Sequence, residues 1–115
     1  MVSRDFRIRT ERDIKRVLKL GRKFNVPECS LYTLQNSLSY ARMTVIVANG
    51  VSKNAVARNR LKRQMRDVLR VAIQSGSITY TIDIIVVVRA LAMRVSDGDR
   101  REFFRNFLQR AQLIR

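Results

Sequence analysis

Histidine is absent from this chain of 115 residues, and cysteine occurs once, as Cys29. Without histidine there is no Ser-His-Asp triad, no Cys-His pair and no histidine-ligated metal. A single cysteine excludes an intramolecular disulfide and a cysteine-based zinc site. The longest apolar run, residues 84–88, has five residues, whereas a membrane-spanning helix needs about 20. The N-terminal residues also lack the apolar core of a signal peptide, so we expect a cytoplasmic protein.

Acidic residues are scarce, because 24 lysines and arginines stand against 9 aspartates and glutamates, for a formal net charge of +15. An excess of this size indicates a polyanionic partner, with nucleic acid first and an anionic membrane surface second. Proline occurs once, and we find no Gly/Ser-rich linker and no internal repeat. Residues 1–115 are therefore expected to form one domain with a modest core. Residues 1–9 form a basic N-terminal arm, which either orders on nucleic acid or stays loose.

Apolar periodicity predicts three helices, over residues 10–20, 54–73 and 96–114. Thr10 and Ser96 are expected to cap the first and last helices, and Gly21 is expected to follow the end of the first. Strands are predicted over residues 29–35, 41–48 (as a central strand) and 81–89, with an extended stretch at 23–26. Residues 81–89 are almost continuously apolar, so this strand should be buried on both faces. The order favours an α/β (α+β) two-layer sandwich with a three- to four-stranded mixed sheet and helices mainly on one face.

The helix predicted for residues 54–73 has one apolar and one cationic side. With 100° between successive residues, the apolar side consists of Leu61, Met65, Val68, Leu69 and Ala72. The cationic side, called the basic stripe below, consists of Arg58, Arg60, Lys62, Arg63, Arg66 and Arg70, with Asn59 in its middle. Like charges four residues apart each cost about 0.2–0.5 kcal/mol, and only Asp67 interrupts them. The stripe is therefore interpreted as a phosphate-binding surface; the alternative is a solvated face that only keeps the protein soluble.

The residues around the stripe resemble the signature of the bacterial ribonuclease P protein subunit. The matching stretch is RNRLKR at residues 58–63, preceded by VSKNAV at residues 51–56. The similarity covers nearly the whole chain, from Arg7-Ile8 and the first helix to Leu31-Tyr32 and IDIIV at residues 82–86.

The resemblance implies the protein subunit of a ribonucleoprotein endonuclease, a hydrolase that removes the 5′ leader of precursor tRNA. The RNA subunit and its Mg²⁺ ions would carry out the catalysis, so the resemblance implies no catalytic residue and no metal site in the protein. It also implies the ribosomal protein S5 domain 2-like fold, with a left-handed β-α-β crossover through the basic helix. The general rule for such crossovers is right-handed, and we follow the resemblance here.

Carried over position by position, the resemblance implies RNA-subunit contacts by Lys53, Arg58, Asn59, Arg60, Lys62, Arg63 and Arg66. The leader would bind in a cleft between the sheet and the first helix, beside Tyr32, Ile14 and Leu18, with Arg89 near the rim. This chain departs from the family at Asn49-Gly50, where two lysines are usual, and in the loop 89–92, which lacks a lysine and a proline. It also has Ile14, Leu18 and Cys29 at positions where the family tends to place aromatics. Because base–aromatic stacking is worth about 1–3 kcal/mol per base, a weaker grip on the leader is expected.

Other interpretations remain at this point. A non-enzymatic structural RNA-binding protein of the ribosomal type shares the charge and fold class but not the motif. A DNA-binding helix-turn-helix needs a second helix after a short turn, which the flanking strands do not provide. A role at a membrane surface is disfavoured, because the core needs the apolar side of the basic helix. We expect Arg60→Glu to weaken RNA binding strongly while the fold survives.

Three further groups have two readings each. The carboxylates Asp97, Asp99 and Glu102 either bind Mg²⁺ or, as we favour, stabilise a helix N-terminus. The aromatic residues of the last helix, Phe103, Phe104 and Phe107, are predicted to pack in the core rather than to stack on bases. The basic residues near the first helix, Lys15, Arg16, Lys19, Arg22 and Lys23, either line the path of the RNA or only solvate that helix.

Overall fold

Three helices and a four-stranded mixed sheet make up the fold. The computed structural model describes residues 6–78 and 81–114. The helices are α1 (Glu11–Leu20), α2 (Ala55–Gln74) and α3 (Arg100–Arg110), and the strands are β1 (Arg22–Asn25), β2 (Cys29–Gln35), β3 (Arg42–Val47) and β4 (Ile82–Val88). Short 3₁₀ turns lie at Asn49–Val51, Ala90–Arg94 and Asp97–Asp99. Within the described residues, no helix has the length and apolarity needed to cross a bilayer.

The sheet has the strand order β1-β2-β4-β3. β2 runs antiparallel to both β1 and β4, whereas β3 and β4 are parallel and joined through α2. The predicted mixed sheet with three helices and a crossover through the basic helix is thereby confirmed.

β4 is the central element of the core, because both of its faces are covered. Ile84 and Val86 face α2 and α3 in the main core, while Ile85 faces α1 on the other side of the sheet. Side chains alternate between the faces of a strand, so an apolar run of this kind buries both. The prediction of a strand covered on both sides is confirmed.

α2 and α3 pack on one face of the sheet and form the main core with it. Every residue of the predicted apolar side of α2 is buried. α3 contributes Phe104, Phe107 and Leu108, and the ring of Phe107 lies 5.6 Å from that of Phe24 on β1. The prediction that these phenylalanines pack in the core is confirmed for Phe104 and Phe107, while Phe103 is half-buried beside them.

α1 covers part of the other face and is tied to the sheet by charged groups. Thr10 caps the helix as predicted, with its Oγ1 accepting from the backbone N–H of Asp13 at 3.2 Å. Asp13 also accepts from Arg42 at 3.3 Å, and Arg42 donates twice to the buried Asp83, at 2.9 and 2.6 Å. This chain of contacts ties the start of α1 to β3 and β4, while the helix itself packs on β2 and β4.

β3 lies at the edge of the sheet, so its prediction as a central strand is wrong. The N-terminal segment partly covers its free edge. Arg7 forms a parallel bridge with Met43, and the backbone N–H of Ile8 donates to the Met43 carbonyl at 2.9 Å. Ile8 is buried. The second half of the predicted arm therefore lies along β3, while residues 1–5 lie outside the described residues.

Two helix ends differ from the prediction. α3 begins at Arg100 rather than Ser96, because Ser96 starts a 3₁₀ turn and donates from its hydroxyl to Asp99 at 2.6 Å. It ends at Arg110, short of the predicted 114, because Gln112 has a left-handed φ of 62° and the N–H of Leu113 returns to the Leu108 carbonyl at 3.0 Å. This backbone geometry is a helix stop with an apolar residue after it.

Candidate nucleic-acid interface

The start of α2 is fixed by a network of side-chain caps. The Oδ1 of Asn54 accepts from the backbone N–H groups of Val56 at 2.9 Å and Ala57 at 3.4 Å. The hydroxyl of Ser52 accepts in turn from the N–H of Asn54 at 3.2 Å. Such caps satisfy the free donors of a first helical turn. They place exposed Lys53 directly before the basic helix.

The basic stripe lies on the side of α2 that faces away from the core. Asn59, Arg60, Arg63 and Arg70 are exposed, whereas Arg58, Lys62 and Arg66 are half-buried. The apolar side of α2 is buried against β3 and α3, so the helix cannot turn without losing its core contacts. The stripe is thus held as one continuous cationic surface about four turns long.

Two members of the stripe have acidic partners. Arg60 donates from Nε and Nη2 to the two carboxylate oxygens of Asp97, at 2.5 and 2.7 Å. Arg70 lies 3.6 Å from Asp67, which also pairs with Arg101 of α3 at 3.0 Å. The sequence of α2 gives no sign of the Arg60–Asp97 pair, because Asp97 lies 37 residues further along the chain.

The other members of the stripe form no salt bridge among residues 6–78 and 81–114. Arg58 donates from Nη1 to the Ser52 carbonyl at 2.6 Å, which holds its side chain beside the helix N-terminus. Lys62 and Arg63 therefore carry charges without a salt-bridge partner, and Arg66 has only the longer-range attraction of Asp67. Repulsion among such groups costs stability, and an anionic ligand relieves it.

The N-terminal segment adds two arginines from the predicted basic arm. Arg7 and Arg9 line a cavity of about 350 Å³ at the edge of β3 together with Lys62 and Arg66 of the stripe. Partial burial lowers the pKa of the Arg66 guanidinium, and the positive charge of Arg7 lowers it further. The stripe therefore continues from α2 across the edge of the sheet. The density of arginines before residue 10 was the sequence signal for this extension.

The residues predicted for the leader cleft are only partly brought together. Ile14 and Tyr32 pack around Val17 and Ile85 on the face that carries α1, and the Nζ of Lys23 lies 5.5 Å from the centre of the Tyr32 ring. Leu18 is 36% exposed on α1. These positions form a mixed apolar and basic surface beside the first helix.

Cys29 lies on the opposite face, so its placement beside the cleft is wrong. It is fully buried in the main core, because an odd separation of three residues from Tyr32 puts the two side chains on different faces of β2. Burial raises the pKa of the Cys29 thiol to about 12. A thiol in this environment is structural rather than reactive.

Arg89 holds the connection between β1 and β2. Its Nη1 donates to the Val26 carbonyl at 2.7 Å, and its Nη2 donates to Asn25 Oδ1 at 2.5 Å and to the hydroxyl of Ser30. The guanidinium is therefore occupied by internal acceptors at the end of the sheet. These contacts give Arg89 a structural role, and its place near the rim of the leader cleft stays a prediction.

Two members of the carboxylate cluster, Asp97 and Asp99, accept hydrogen bonds within the fold, whereas Glu102 is exposed in the first turn of α3. Asp97 accepts from Arg60, from Gln64 Nε2 at 3.0 Å and from Arg100 Nη1 at 3.3 Å. The hydrogen bond from Arg60 holds the pKa of the Asp97 carboxyl well below its usual range. Asp99 accepts from Ser96. Among the described residues, no group of three or more potential ligand side chains is arranged for a metal ion.

The second basic cluster lies around α1, on the other side of the sheet from the stripe. Its members Lys15, Arg16, Lys19, Arg22 and Lys23 are all exposed. Lys15 pairs with Glu11 at 3.2 Å on the helix surface. Both readings of this cluster, as an RNA path or as a solvated face, stay open.

The fold and its cationic surface define a nucleic-acid-binding α/β protein, and the comparisons with known proteins give its family. The chain belongs to the ribonuclease P protein family: the family model described as Ribonuclease P matches residues 2–112. The ribonuclease P protein component of a Streptococcus pneumoniae strain is 31% identical over 88 residues, which cover 76% of this chain and 69% of that protein.

Solved structures of the same family share the fold. The ribonuclease P protein of Staphylococcus aureus matches with a TM-score of 0.85 and 26% identity, over 96% of this chain and 98% of that chain. The protein from Thermotoga maritima matches with a TM-score of 0.75 and 29% identity, over 90% and 96% of the two chains. The chain is therefore a protein component of a ribonuclease, and family membership implies an RNA partner and a role in tRNA processing.

Proposed function

We propose that this chain is the non-catalytic subunit that docks on the catalytic RNA of ribonuclease P and assists removal of the 5′ leader from precursor tRNA. The observation that carries the proposal is the basic stripe, most of whose cations form no salt bridge within the described part of the chain and which lies on one rigid helix. Membership of the ribonuclease P family indicates that the polyanion is RNA. We propose that the protein acts in the cytoplasm, where precursor tRNA is processed in bacteria.

The stripe would bind the RNA backbone through several kinds of contact. Arg63 is exposed and unpaired, so its planar guanidinium can donate two parallel hydrogen bonds to one phosphate. Lys62 and Arg66 would contact the RNA backbone near the edge of β3. The ammonium group of Lys62 would act as a point charge, and the planar guanidinium of Arg66 would donate more than one hydrogen bond. Asn59 can both donate and accept, so it suits a ribose hydroxyl or a base edge. Lys53 and Arg58 would extend the contact to the start of α2.

The precursor tRNA leader would lie along the face that carries α1. Tyr32 offers the one aromatic ring proposed for base stacking there, and Lys23 beside it offers a phosphate contact. Ile14 and Leu18 supply apolar surface without an aromatic face, so the leader is expected to bind weakly. This part of the proposal rests on the resemblance and on the mixed apolar and basic surface.

The chemistry of cleavage would belong to the RNA subunit and the Mg²⁺ ions that it holds. Asp97 does not suit a metal site, because three donors already occupy its carboxylate. The chain's own contribution would be electrostatic: a cationic surface reduces repulsion between RNA segments and so lowers the Mg²⁺ concentration that the RNA needs.

A reconstitution experiment tests the proposal. The RNA that co-purifies with the tagged chain is sequenced, transcribed in vitro and mixed with precursor tRNA at limiting Mg²⁺. We expect no cleavage by the protein alone and faster cleavage when the protein joins the RNA. Unchanged cleavage at limiting Mg²⁺ would contradict the proposal, as would co-purification with ribosomal particles, which the alternative of a structural ribosomal-type protein predicts.

A matched pair of charge reversals locates the surface. Arg63→Glu changes an exposed, unpaired member of the stripe, and Arg105→Glu makes the same charge change at an exposed position of α3. We expect the first to weaken RNA binding at least tenfold more than the second. Arg60→Glu is a poorer test than the sequence indicated, because the new carboxylate would face Asp97 and disturb the 97–99 turn as well.

A further inference from the structure

Arg60 differs from the rest of the stripe because an acid on another element holds its guanidinium. The Nε and Nη2 groups of Arg60 both reach the Asp97 carboxylate, which engages the side edge of the guanidinium. The Nη1 hydrogens and the second Nη2 hydrogen have no partner among the described residues. The second Nη2 hydrogen and the Nη1 hydrogen beside it form the end edge, which is itself a bidentate donor. The side chain is 56% exposed, so this edge is open to a ligand.

Asp97 is itself fixed from beneath by buried groups. Gln64 and Arg100 are both buried, and they donate to Asp97 from α2 and α3 respectively. The two also bond to each other, with Arg100 Nη1 donating to Gln64 Oε1 at 3.2 Å. Arg100 Nε donates in addition to the Val95 carbonyl at 3.1 Å. The Asp97 carboxylate therefore has a fixed position, and its two hydrogen bonds with Arg60 fix the Arg60 guanidinium in turn.

We propose that Asp97 is a positioning residue for RNA recognition, which holds the side edge of Arg60 and presents its end edge to one RNA phosphate. The inference rests on the proposed function of the basic stripe. Mobile lysines and arginines contribute affinity that depends little on the shape of the RNA, whereas a fixed phosphate contact sets register and orientation. Arg60 would thus contribute shape selectivity, while Lys62 and Arg63 contribute general attraction.

The proposal predicts that removing Asp97 weakens binding to the structured RNA, whereas the change in net charge alone would strengthen it. Removing Asp97 adds one to the formal net charge of +15, which by itself would tighten binding to every RNA. Without Asp97, however, the Arg60 side chain is mobile in the free protein and must be ordered when RNA binds. The entropy lost in ordering one long side chain corresponds to about a two- to tenfold loss of affinity. The ratio of affinities for a structured and an unstructured RNA separates the two effects.

The test compares Asp97→Asn and Asp97→Ala with the parent chain. Dissociation constants are measured at one salt concentration for the co-purified RNA and for poly(U). We expect both variants to bind the co-purified RNA about two- to tenfold more weakly and poly(U) equally or more tightly. Asp97→Glu, which keeps the carboxylate, should restore part of the loss. Asp97→Asn keeps an acceptor for Gln64 and Arg100, so it serves if the alanine variant does not fold.

Two further measurements exclude a merely structural role. The Arg60 Nε–Hε NMR signal should be protected from solvent exchange in the free parent chain and lose that protection in Asp97→Asn. In the Arg60→Ala background, Asp97→Asn should no longer weaken binding of the co-purified RNA, and the added positive charge should leave the affinity equal or higher. Glu102→Ala, an exposed acid-to-neutral change on the same segment, controls for charge and should not weaken binding.

The outcomes separate this inference from the proposed function. Equal or tighter binding of the co-purified RNA by Asp97→Asn would overturn the role of Asp97, even when Arg63→Glu weakens binding. If Arg63→Glu and Arg60→Ala both leave the affinity unchanged, the stripe itself is not the RNA surface, and the proposed function fails with the inference.

Discussion

Loss of the buried ion pair between Asp83 and Arg42 should lower the free energy of unfolding by a predictable amount. The side chains are 8% and 18% exposed, and the Asp83 carboxylate accepts from Arg42 at 2.9 and 2.6 Å and from Asn36 at 2.9 Å. Removing one partner of a buried pair leaves the other charge uncompensated and costs about 3–5 kcal/mol. Asp13 still lies 3.3 Å from Arg42, so we expect Asp83→Ala to fall at the lower end, about 3 kcal/mol.

Urea unfolding followed by circular dichroism measures this loss in the free energy of unfolding. Asp67→Ala is the matched control, because it removes a carboxylate from the surface pairs with Arg70 and Arg101 and should cost about 1 kcal/mol or less. A double-mutant cycle with Arg42→Ala should show strong coupling to Asp83. A loss below about 1 kcal/mol for Asp83→Ala, or no coupling in the cycle, would refute the view that this pair anchors α1 and β3.

Further predictions follow from the glycines and the cysteine. Gly21→Ala should cost about 1–3 kcal/mol in urea unfolding, because its Cβ would lie 2.5 Å from the Val17 carbonyl oxygen; an unchanged midpoint would contradict this. Gly50→Lys should fold normally, since a Cβ there meets nothing within 4 Å, and should tighten RNA binding in a titration; a weaker complex would contradict it. With its pKa raised to about 12, the Cys29 thiol keeps its proton at pH 8 and should react with a disulfide reagent only after unfolding in urea.

Stability at alkaline pH depends on the same thiol. Its pKa is about 12 in the folded chain, against 9.0 for an ordinary cysteine. Between these two values the unfolded chain releases the proton and the folded chain keeps it, so the contribution of Cys29 to stability is complete below pH 9 and declines above it. The free energy of unfolding of Cys29→Ala should therefore fall less steeply than that of the parent between pH 9 and 10. Identical slopes would contradict the buried neutral thiol.

Local sequence patterns were sufficient to predict α2 and β4. The spacing of Leu61, Met65 and Leu69 allows only one buried side for a helix, and that side determines where the basic stripe points. The apolar run of β4 similarly requires cover on both faces. The side of α2 that faces solvent could therefore be predicted without coordinates.

The misplaced elements depend on contacts between distant parts of the chain. β3 has the β-branched composition of a central strand, but its place in the sheet depends on β4 pairing with both β2 and β3. From the sequence, Arg60 cannot be distinguished from the other exposed cations of α2. Its partner Asp97 lies 37 residues further along the chain, just before α3, and only the fold brings the two together. Gly21 follows the end of α1 as predicted, with a φ of −73°; the close approach of the Val17 and Thr33 carbonyl oxygens is what requires glycine there.

The most direct test of the basic stripe as the RNA surface is a crosslink from a neutral position within it. Val56 is 75% exposed and lies one turn before Arg60 and two turns before Arg63 on the same side of α2. A benzophenone maleimide on Val56→Cys would label only that position, because Cys29 is buried. The label at position 56 should crosslink to the co-purified RNA, whereas the same label on Asn106→Cys, at an exposed site of α3, should not. Crosslinking from position 106 with none from position 56 would contradict the account.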